Sequence, residues 1–263
     1  MNNKIAIIGQ GVVGNAFKRL VEKHYEIVTY DPAHDGKYPQ KEIDTCYMGV
    51  VCVPTNSNPD GSCDISVVTE AVQKLNTPLI LIKSTVEPGT TDKLKKKTGK
   101  RICFSPEYIG ESSYYHPYWT DMVETPFLIV CGEEADCNEV IEILEPIMGP
   151  TKTYFTCTTI EAELIKYLEN SFFATKVTFV NEFYNICRAV GANWHKVREG
   201  WLLDPRINKM HTSVFANKRG FGGKCFPKDL KAIVVSSKKA GYQPKLLKQV
   251  LKSNDEFVAS NIK

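Results

Sequence analysis

Short apolar runs recur through the first half of this chain, and helical patterns separate them. The runs are Lys4–Ile8, Glu26–Tyr30, Gly49–Val53, Leu79–Lys83, Arg101–Ser105 and Phe127–Cys131. Between them, Val12–His24, Ile65–Leu75, Thr90–Lys97 and Asp136–Met148 read as helices. A strand apolar along its length is buried on both faces, and strands alternating with helices run parallel. The prediction is an α/β fold with a doubly wound parallel sheet.

The pattern changes after Cys157. From Ile160 to Val190 there is no glycine or proline, and apolar residues fall on every face. Such a helix is expected to be buried. Shorter helices follow over Asn193–Leu202, Pro227–Ala240 and Pro244–Ser260. We therefore expect two domains, 1–157 with the sheet and 158–263 all-helical around one long central helix, which suits 263 residues.

Several classes are excluded by composition. A net charge of +3 is too small to point to nucleic acid. No apolar run approaches the ~20 residues of a membrane span, so no membrane is expected. The N-terminus enters a strand and a glycine turn instead of a signal peptide, which predicts a cytoplasmic protein. Nine cysteines, an odd number with no C-x-x-C pair, and five histidines without ligand spacing predict neither a disulfide scaffold nor a metal. The cluster Lys95-Lys96-Lys97 with Lys100-Arg101 reads as a solvated helix face.

Gly9-Gln10-Gly11-Val12-Val13-Gly14 is G-x-G-x-x-G between a strand and a helix, and Asp31 ends the next strand 20 residues after Gly11. This is the Rossmann arrangement. Gly9 permits the tight turn, Gly11 lets backbone approach a pyrophosphate, and Gly14 lets the helix pack close; Val12 and Val13 open that helix. Asp31 would accept from ribose hydroxyls and repel a 2′-phosphate, so NAD is expected over NADP.

Gly220-Phe221-Gly222-Gly223-Lys224-Cys225-Phe226-Pro227-Lys228-Asp229 is the most informative segment. Glycines let backbone crowd a ligand, Pro227 suits a first helical turn, and a cysteine at a helix start beside lysines is favoured as thiolate. The segment resembles the signature of the UDP-glucose/GDP-mannose dehydrogenase family. Other pieces match that family in order: Val53-Pro54-Thr55, Ser84–Thr91, Ser105-Pro106-Glu107 through Glu111, Ala162–Lys166 with Asn170, Asn181-Glu182, and Asp204-Pro205-Arg206-Ile207. Gly110 stands where relatives usually carry arginine, and Asn208 replaces a glycine. The second Rossmann-like domain that usually follows is not expected within these 263 residues.

The resemblance implies oxidation of a nucleotide-sugar primary alcohol to a carboxylate with two NAD⁺, UDP-glucose being the expected substrate. It assigns Cys225 as nucleophile, Lys166 and Asn170 to the oxyanion and sugar, Asp229 to proton handling, and Glu107 and Thr85 to the hydrolytic water. Pro54, Thr55 and Thr85 would flank the cofactor. Glu111, Arg206, Gly220, Phe221 and Gly222 would meet the substrate. Lys166 in an apolar helix needs a partner, and Asp229 is the expected one. Asn181 reads as a core polar residue. A homodimer through the 160–190 helix is expected from the resemblance. Two alternatives stay open: a one-step hydroxyacid dehydrogenase, and a non-catalytic relative that binds NAD or a nucleotide sugar.

Overall fold

The computed structural model describes residues 3–110 and 121–262. The chain forms two compact units: Met1–Asn56 with Cys63–Lys166, and Ser57–Ser62 with Tyr167–Lys263.

The first unit carries five parallel strands, β1 Lys4–Ile8, β2 Glu26–Tyr30, β3 Met48–Val51, β4 Leu79–Ile82 and β5 Ile102–Phe104, in the order β2-β1-β3-β4-β5. The chain reverses its direction of travel across the sheet at β1 and β3, whose carboxyl ends open a crevice of the kind that binds ligands. Alternate residues enter two cores. Ile5, Ile7, Met48, Val50, Leu79 and Leu81 join one with Phe17 and Leu20 of α1 (Val12–Val21) and Leu144 of α5 (Glu134–Met148). Ala6, Ile8, Val51, Ile80 and Ile82 join the other with Val68 and Val72 of α3 (Ser66–Lys74) and Leu94 of α4 (Thr90–Thr98). Each buried Ile or Leu contributes about 1.5–3 kcal/mol, which is why these strands read so clearly as apolar runs.

Three expectations are corrected. First, the run at Phe127 does not extend the parallel sheet. As β6 (Phe127–Ile129) it pairs in parallel with β7 (Thr153–Phe155) in a separate two-stranded sheet, and Cys131 makes one antiparallel bridge to Phe104. Neither β7 nor the short α2 (Gln40–Ile43) has a periodic signal in the sequence. Second, the basic cluster is only partly a solvated face. The Lys100 ammonium donates to the carbonyls of Val72 at 3.0 Å, Gln73 at 2.8 Å and Leu75 at 2.6 Å, satisfying the orphan end of α3. Arg101 pairs with Asp136 at 2.7 Å and Glu139 at 2.6 Å on α5.

Third, the long helix, α6 (Thr159–Ala189), is buried on one side only. Ala162, Tyr167, Ala174, Val180 and Cys187 are enclosed, but Ile160, Leu164, Leu168, Phe172, Phe179, Phe183 and Ile186 form an exposed stripe continued by Val190. Leu168 is 71% and Val190 72% accessible. The three- and four-residue steps place all of them along one face. Near the start of α6, Glu163 is fully buried. Its carboxylate accepts from the N–H of Gly89, and from the N–H and hydroxyl of Thr91 at 2.8 and 2.6 Å, so it caps α4. Burial pushes its pKa up to about 7 against those donors.

The second unit is helical: α6 from Tyr167, α7 (Trp194–Trp201), α8 (Phe226–Lys239) and α9 (Lys245–Ala259). Ala174, Phe221, Leu230 and Val250 form one small core, and Val180, Cys187, Trp194 and Val214 another. Among the described residues no helix is long and apolar enough to cross a membrane.

Candidate active site

The three loop glycines of the first unit do different jobs. Gly9 has φ +96°, and a Cβ there would lie 2.6 Å from the Cys52 carbonyl oxygen. A Cβ on Gly14 would lie 1.9 Å from the Gly9 carbonyl oxygen. Both are demanded by the protein's own packing. Gly11 is not: its φ is −70°, and a Cβ there would meet nothing within 4 Å. No side chain caps α1, which Val12 and Val13 begin, so its first N–H groups have no internal side-chain partner. Open space over Gly11 and an uncapped helix start together fit a pyrophosphate.

Asp31 accepts the N–H of Gln10 at 2.6 Å and that of Ala33 at 2.9 Å. These two bonds hold its carboxyl below the usual carboxylate range. Each oxygen keeps a second lone pair for a ribose hydroxyl. Beyond β3, the Thr55 hydroxyl donates to the Thr85 carbonyl at 2.8 Å, and Ser84 donates to the Val53 carbonyl at 2.7 Å. Pro54, Thr55 and Thr85 therefore sit on one tied pair of strand exits.

Glu107 is buried. One oxygen accepts the N–H groups of Tyr108 (2.6 Å) and Ile109, and the other lies 3.6 Å from the Lys83 ammonium. Lys83, itself buried, also donates to the Ser105 hydroxyl at 3.2 Å. Nothing in the sequence singles out Lys83, because a lysine closing a strand reads as solvated. The Lys166 ammonium lies 5.0 Å from the Tyr108 ring centroid. Glu111 falls outside the described residues.

In the second unit Cys225 stands at the N-terminus of α8, with Pro227 in the first turn. Of nine cysteines it is the exposed one; seven are buried and Cys157 is half-buried. One turn on, Asp229 is buried. Asn170 donates to it at 2.6 Å and Lys228 at 2.6 Å. The adjacent Lys228, one of the lysines the sequence places beside Cys225, thus supplies Asp229 with a cation. Removing one partner of such a buried charge costs about 3–5 kcal/mol, so the trio is strongly specified. Lys166 and Asn170 are one turn apart in α6.

The glycine segment before Cys225 is anchored at its start. Phe221 is buried, and its N–H and carbonyl are both bonded to the Asn254 side chain, at 2.6 and 3.0 Å. It therefore serves as an anchor, and its ring is not presented to a substrate. Gly220 has φ +76°, and a Cβ there would meet the Asn254 Oδ1 at 2.6 Å. Around Gly222 the space is open. Arg219 is buried and donates to the Asn181 side chain at 2.7 Å, the Asn181 carbonyl at 2.8 Å and Asn185 at 3.0 Å, over the Tyr184 ring. Asn181 is the core polar residue expected: its amide donates to the Val177 carbonyl at 2.8 Å, and its Oδ1 accepts from Arg219 and from the Gly220 N–H of this loop. Arg206 is exposed and forks onto Asp204, closest at 2.6 Å. His211, in left-handed backbone at φ 59°, packs between the rings of Phe173 and Phe226, and burial pushes its pKa down to about 4.

Comparison with known proteins agrees with this architecture. Residues 18–148 match the NAD binding domain of the UDP-glucose/GDP-mannose dehydrogenase family, and residues 160–256 match its central domain. The UDP-glucose 6-dehydrogenase AglM of Haloferax volcanii is 32% identical over 307 aligned positions, covering 96% of this chain and 69% of the relative. TuaD of Bacillus subtilis, also a UDP-glucose 6-dehydrogenase, is 34% identical over 221, covering 78% of this chain and 46% of the relative. The chain thus spans about half to two thirds of such relatives. A UDP-glucose dehydrogenase structure from Pyrobaculum islandicum superposes with TM-score 0.85 at 23% identity, over 97% of this chain and 68% of that one. The 3-hydroxyisobutyrate dehydrogenase of Mycobacterium tuberculosis shares the fold with TM-score 0.73 at 16% identity, over 98% and 94%. Two consecutive domain matches and relatives of this identity place the chain in the UDP-glucose/GDP-mannose dehydrogenase family, whose NAD-binding and central domains it carries.

Proposed function

We propose that this chain oxidises the primary alcohol of a nucleotide sugar to a carboxylate, UDP-glucose to UDP-glucuronate, through covalent intermediates on Cys225. The observation that carries the reading is the exposed thiol at the start of α8, one turn from the buried Asn170–Asp229–Lys228 trio. A one-step alcohol oxidation has no use for a nucleophile there.

Bound NAD⁺ supplies the hydride acceptor in each of two oxidations. The residues do the rest. The Cys225 thiolate adds to the aldehyde carbon, giving a thiohemiacetal whose C–H can be oxidised, and the thioester that results is cleaved by water with return of the thiolate. Lys166 and the Asn170 carboxamide stabilise negative charge on the substrate oxygen. Asp229, paired with Lys228, takes up protons, and Glu107 with Thr85 orders the water. Arg206 and the Gly220–Gly222 backbone meet the anionic substrate. The balance is one alcohol, two NAD⁺ and one water to one carboxylate, two NADH and three protons.

The test counts NADH against limiting UDP-glucose and a panel of other nucleotide sugars. Two NADH per sugar is the expected result. One per substrate, with a small hydroxyacid as the better substrate, would favour a one-step dehydrogenase, the activity named for the mycobacterial structure of the same fold.

The assembly we propose is a cytoplasmic homodimer. The apolar stripe of α6 runs the whole helix and needs cover that these residues do not supply. Light scattering should give twice the 29.6 kDa chain mass, and Leu168→Glu with Phe172→Glu should return it to 29.6 kDa. A wild-type monomer at working concentration would remove the dimer.

A further inference from the structure

We propose that Lys83, at the exit of β4, is a positioning residue for the Glu107 carboxylate; the inference rests on Glu107 ordering the water that cleaves the thioester. The two residues leave neighbouring strands. β4 and β5 run in parallel with Ile82 opposite Phe104, so Lys83 follows the one and Ser105 the other. Backbone holds both exits: the Lys83 N–H donates to the Val51 carbonyl at 2.9 Å, and the Ser105 N–H to the Ile82 carbonyl at 2.9 Å. Thr85 lies two residues beyond Lys83, and Glu107 two beyond Ser105. The pair assigned to the water therefore departs from adjacent strand ends, and the Lys83 side chain reaches from one end to the other.

Lys83 is 6% and Glu107 8% accessible, and a buried charge is costly unless it is partnered. An ammonium has three donors. That of Lys83 lies 3.2 Å from the Ser105 hydroxyl, 3.5 Å from the Ser105 carbonyl oxygen and 3.6 Å from Glu107 Oε2. Ser105 thus fixes the ammonium, and the ammonium faces the carboxylate. Glu107 Oε1 accepts the N–H groups of Tyr108 at 2.6 Å and Ile109 at 2.5 Å. Oε2 is buried and has no hydrogen-bond donor of its own among the described residues, so Lys83 is its counter-charge. Cys52 also faces the pair, but burial pushes its thiol up to about 12 and it brings no second charge. Beside the pair, a cavity of about 30 Å³ is lined by Lys83, Glu107 and Tyr108 with Phe127, Leu128 and Met148. A carboxylate released from Lys83 has room to turn there, and a misplacement of about 1 Å can cost about a hundredfold in rate.

The test compares Lys83→Met, Glu107→Gln and the double variant with wild type. Acid quenching during turnover of UDP-glucose, followed by mass spectrometry, measures the acyl group on Cys225. In Lys83→Met the acyl-enzyme should accumulate and kcat should fall by about tenfold or more, while kcat/KM for UDP-glucose stays within about twofold, because the thioester is cleaved after the substrate is committed. The double variant should be no slower than Glu107→Gln, since Lys83 acts through that carboxylate. Amide hydrogen exchange of Lys83→Met should rise in peptides covering 105–109, whose N–H groups hold the carboxylate, and stay unchanged in the glycine loop at 9–14. Wild-type decay of the acyl-enzyme in a folded Lys83→Met, or losses that add in the double variant, would overturn the proposal. If Lys83→Met does not fold, Lys83→Gln takes its place under the same criteria. Should no acyl-enzyme form even in wild type, the nucleotide-sugar reading falls by itself. Exchange then decides, and wild-type protection over 105–109 would overturn the role of Lys83.

Discussion

Cys225→Ser should lower overall NADH production from UDP-glucose by about a thousandfold or more, because a serine hydroxyl lacks the thiolate's nucleophilicity and leaves poorly from the acyl intermediate. The side chain is exposed, so the change in stability should stay within about 0.5 kcal/mol. NAD⁺ affinity should be retained, since the glycine loop and Asp31 belong to the other unit. Rapid mixing separates the two oxidations: the first hydride transfer should survive while the second stalls. Cys187→Ser is the comparison. Cys187 is buried in the small core with Val180 and Trp194, so that substitution should cost stability and leave kcat near wild type. Near wild-type turnover in Cys225→Ser would sink the covalent mechanism.

The second large effect is expected at the nucleotide loop, where two glycines should fail in different ways. Gly14→Val places a Cβ where only 1.9 Å separates it from the Gly9 carbonyl oxygen, so α1 must move off the loop. Overpacking of this kind costs about 1–3 kcal/mol, and NAD⁺ binding should be lost with it. Gly11→Ala meets no protein atom within 4 Å and needs no unusual φ. Its melting temperature should therefore match wild type while NAD⁺ affinity falls at least tenfold, because the methyl occupies the ligand's approach. Calorimetric titration with thermal melts of both variants distinguishes the two. Unchanged NAD⁺ affinity in Gly11→Ala would show that the open space above that residue is not the pyrophosphate cradle.

Much of this molecule is legible in the order of its residues, and the legible parts share a physical cause. Strands β1, β3 and β4 are apolar because both faces of the sheet are covered, and their shortness between turn signals marks them as strands. The glycine loop is legible because two of its glycines answer to steric demands from nearby backbone. What escaped depends on partners far along the chain. Asn254 lies in a polar stretch, Lys-Ser-Asn-Asp-Glu, and its partner is the backbone of Phe221, 33 residues earlier. Lys83 and Arg219 are charged residues that read as solvated and are instead buried against Glu107 and Asn181. Helix α6 misled for another reason. Apolar composition on every face predicts burial, but one face remains uncovered in a single chain, and a sequence does not say whether its cover comes from itself or from a copy.

The division into units has a consequence for how the protein is made. The chain passes between the units at Asn56, at Ser62 and at Lys166, so the short excursion Ser57–Ser62 belongs with residues synthesised much later. A Cβ on Gly61 would touch Lys231, in α8. On the ribosome the sheet can assemble once β5 has emerged, but this excursion, closed only by its own turn hydrogen bonds, must wait for its packing partner until α8 leaves the exit tunnel. Pairings across so long a stretch of chain close slowly. A fragment ending at Lys166 would carry the excursion with nothing to receive it, and a protease should cut such a fragment there first. The intact protein, once α8 has folded, should resist at the same bonds.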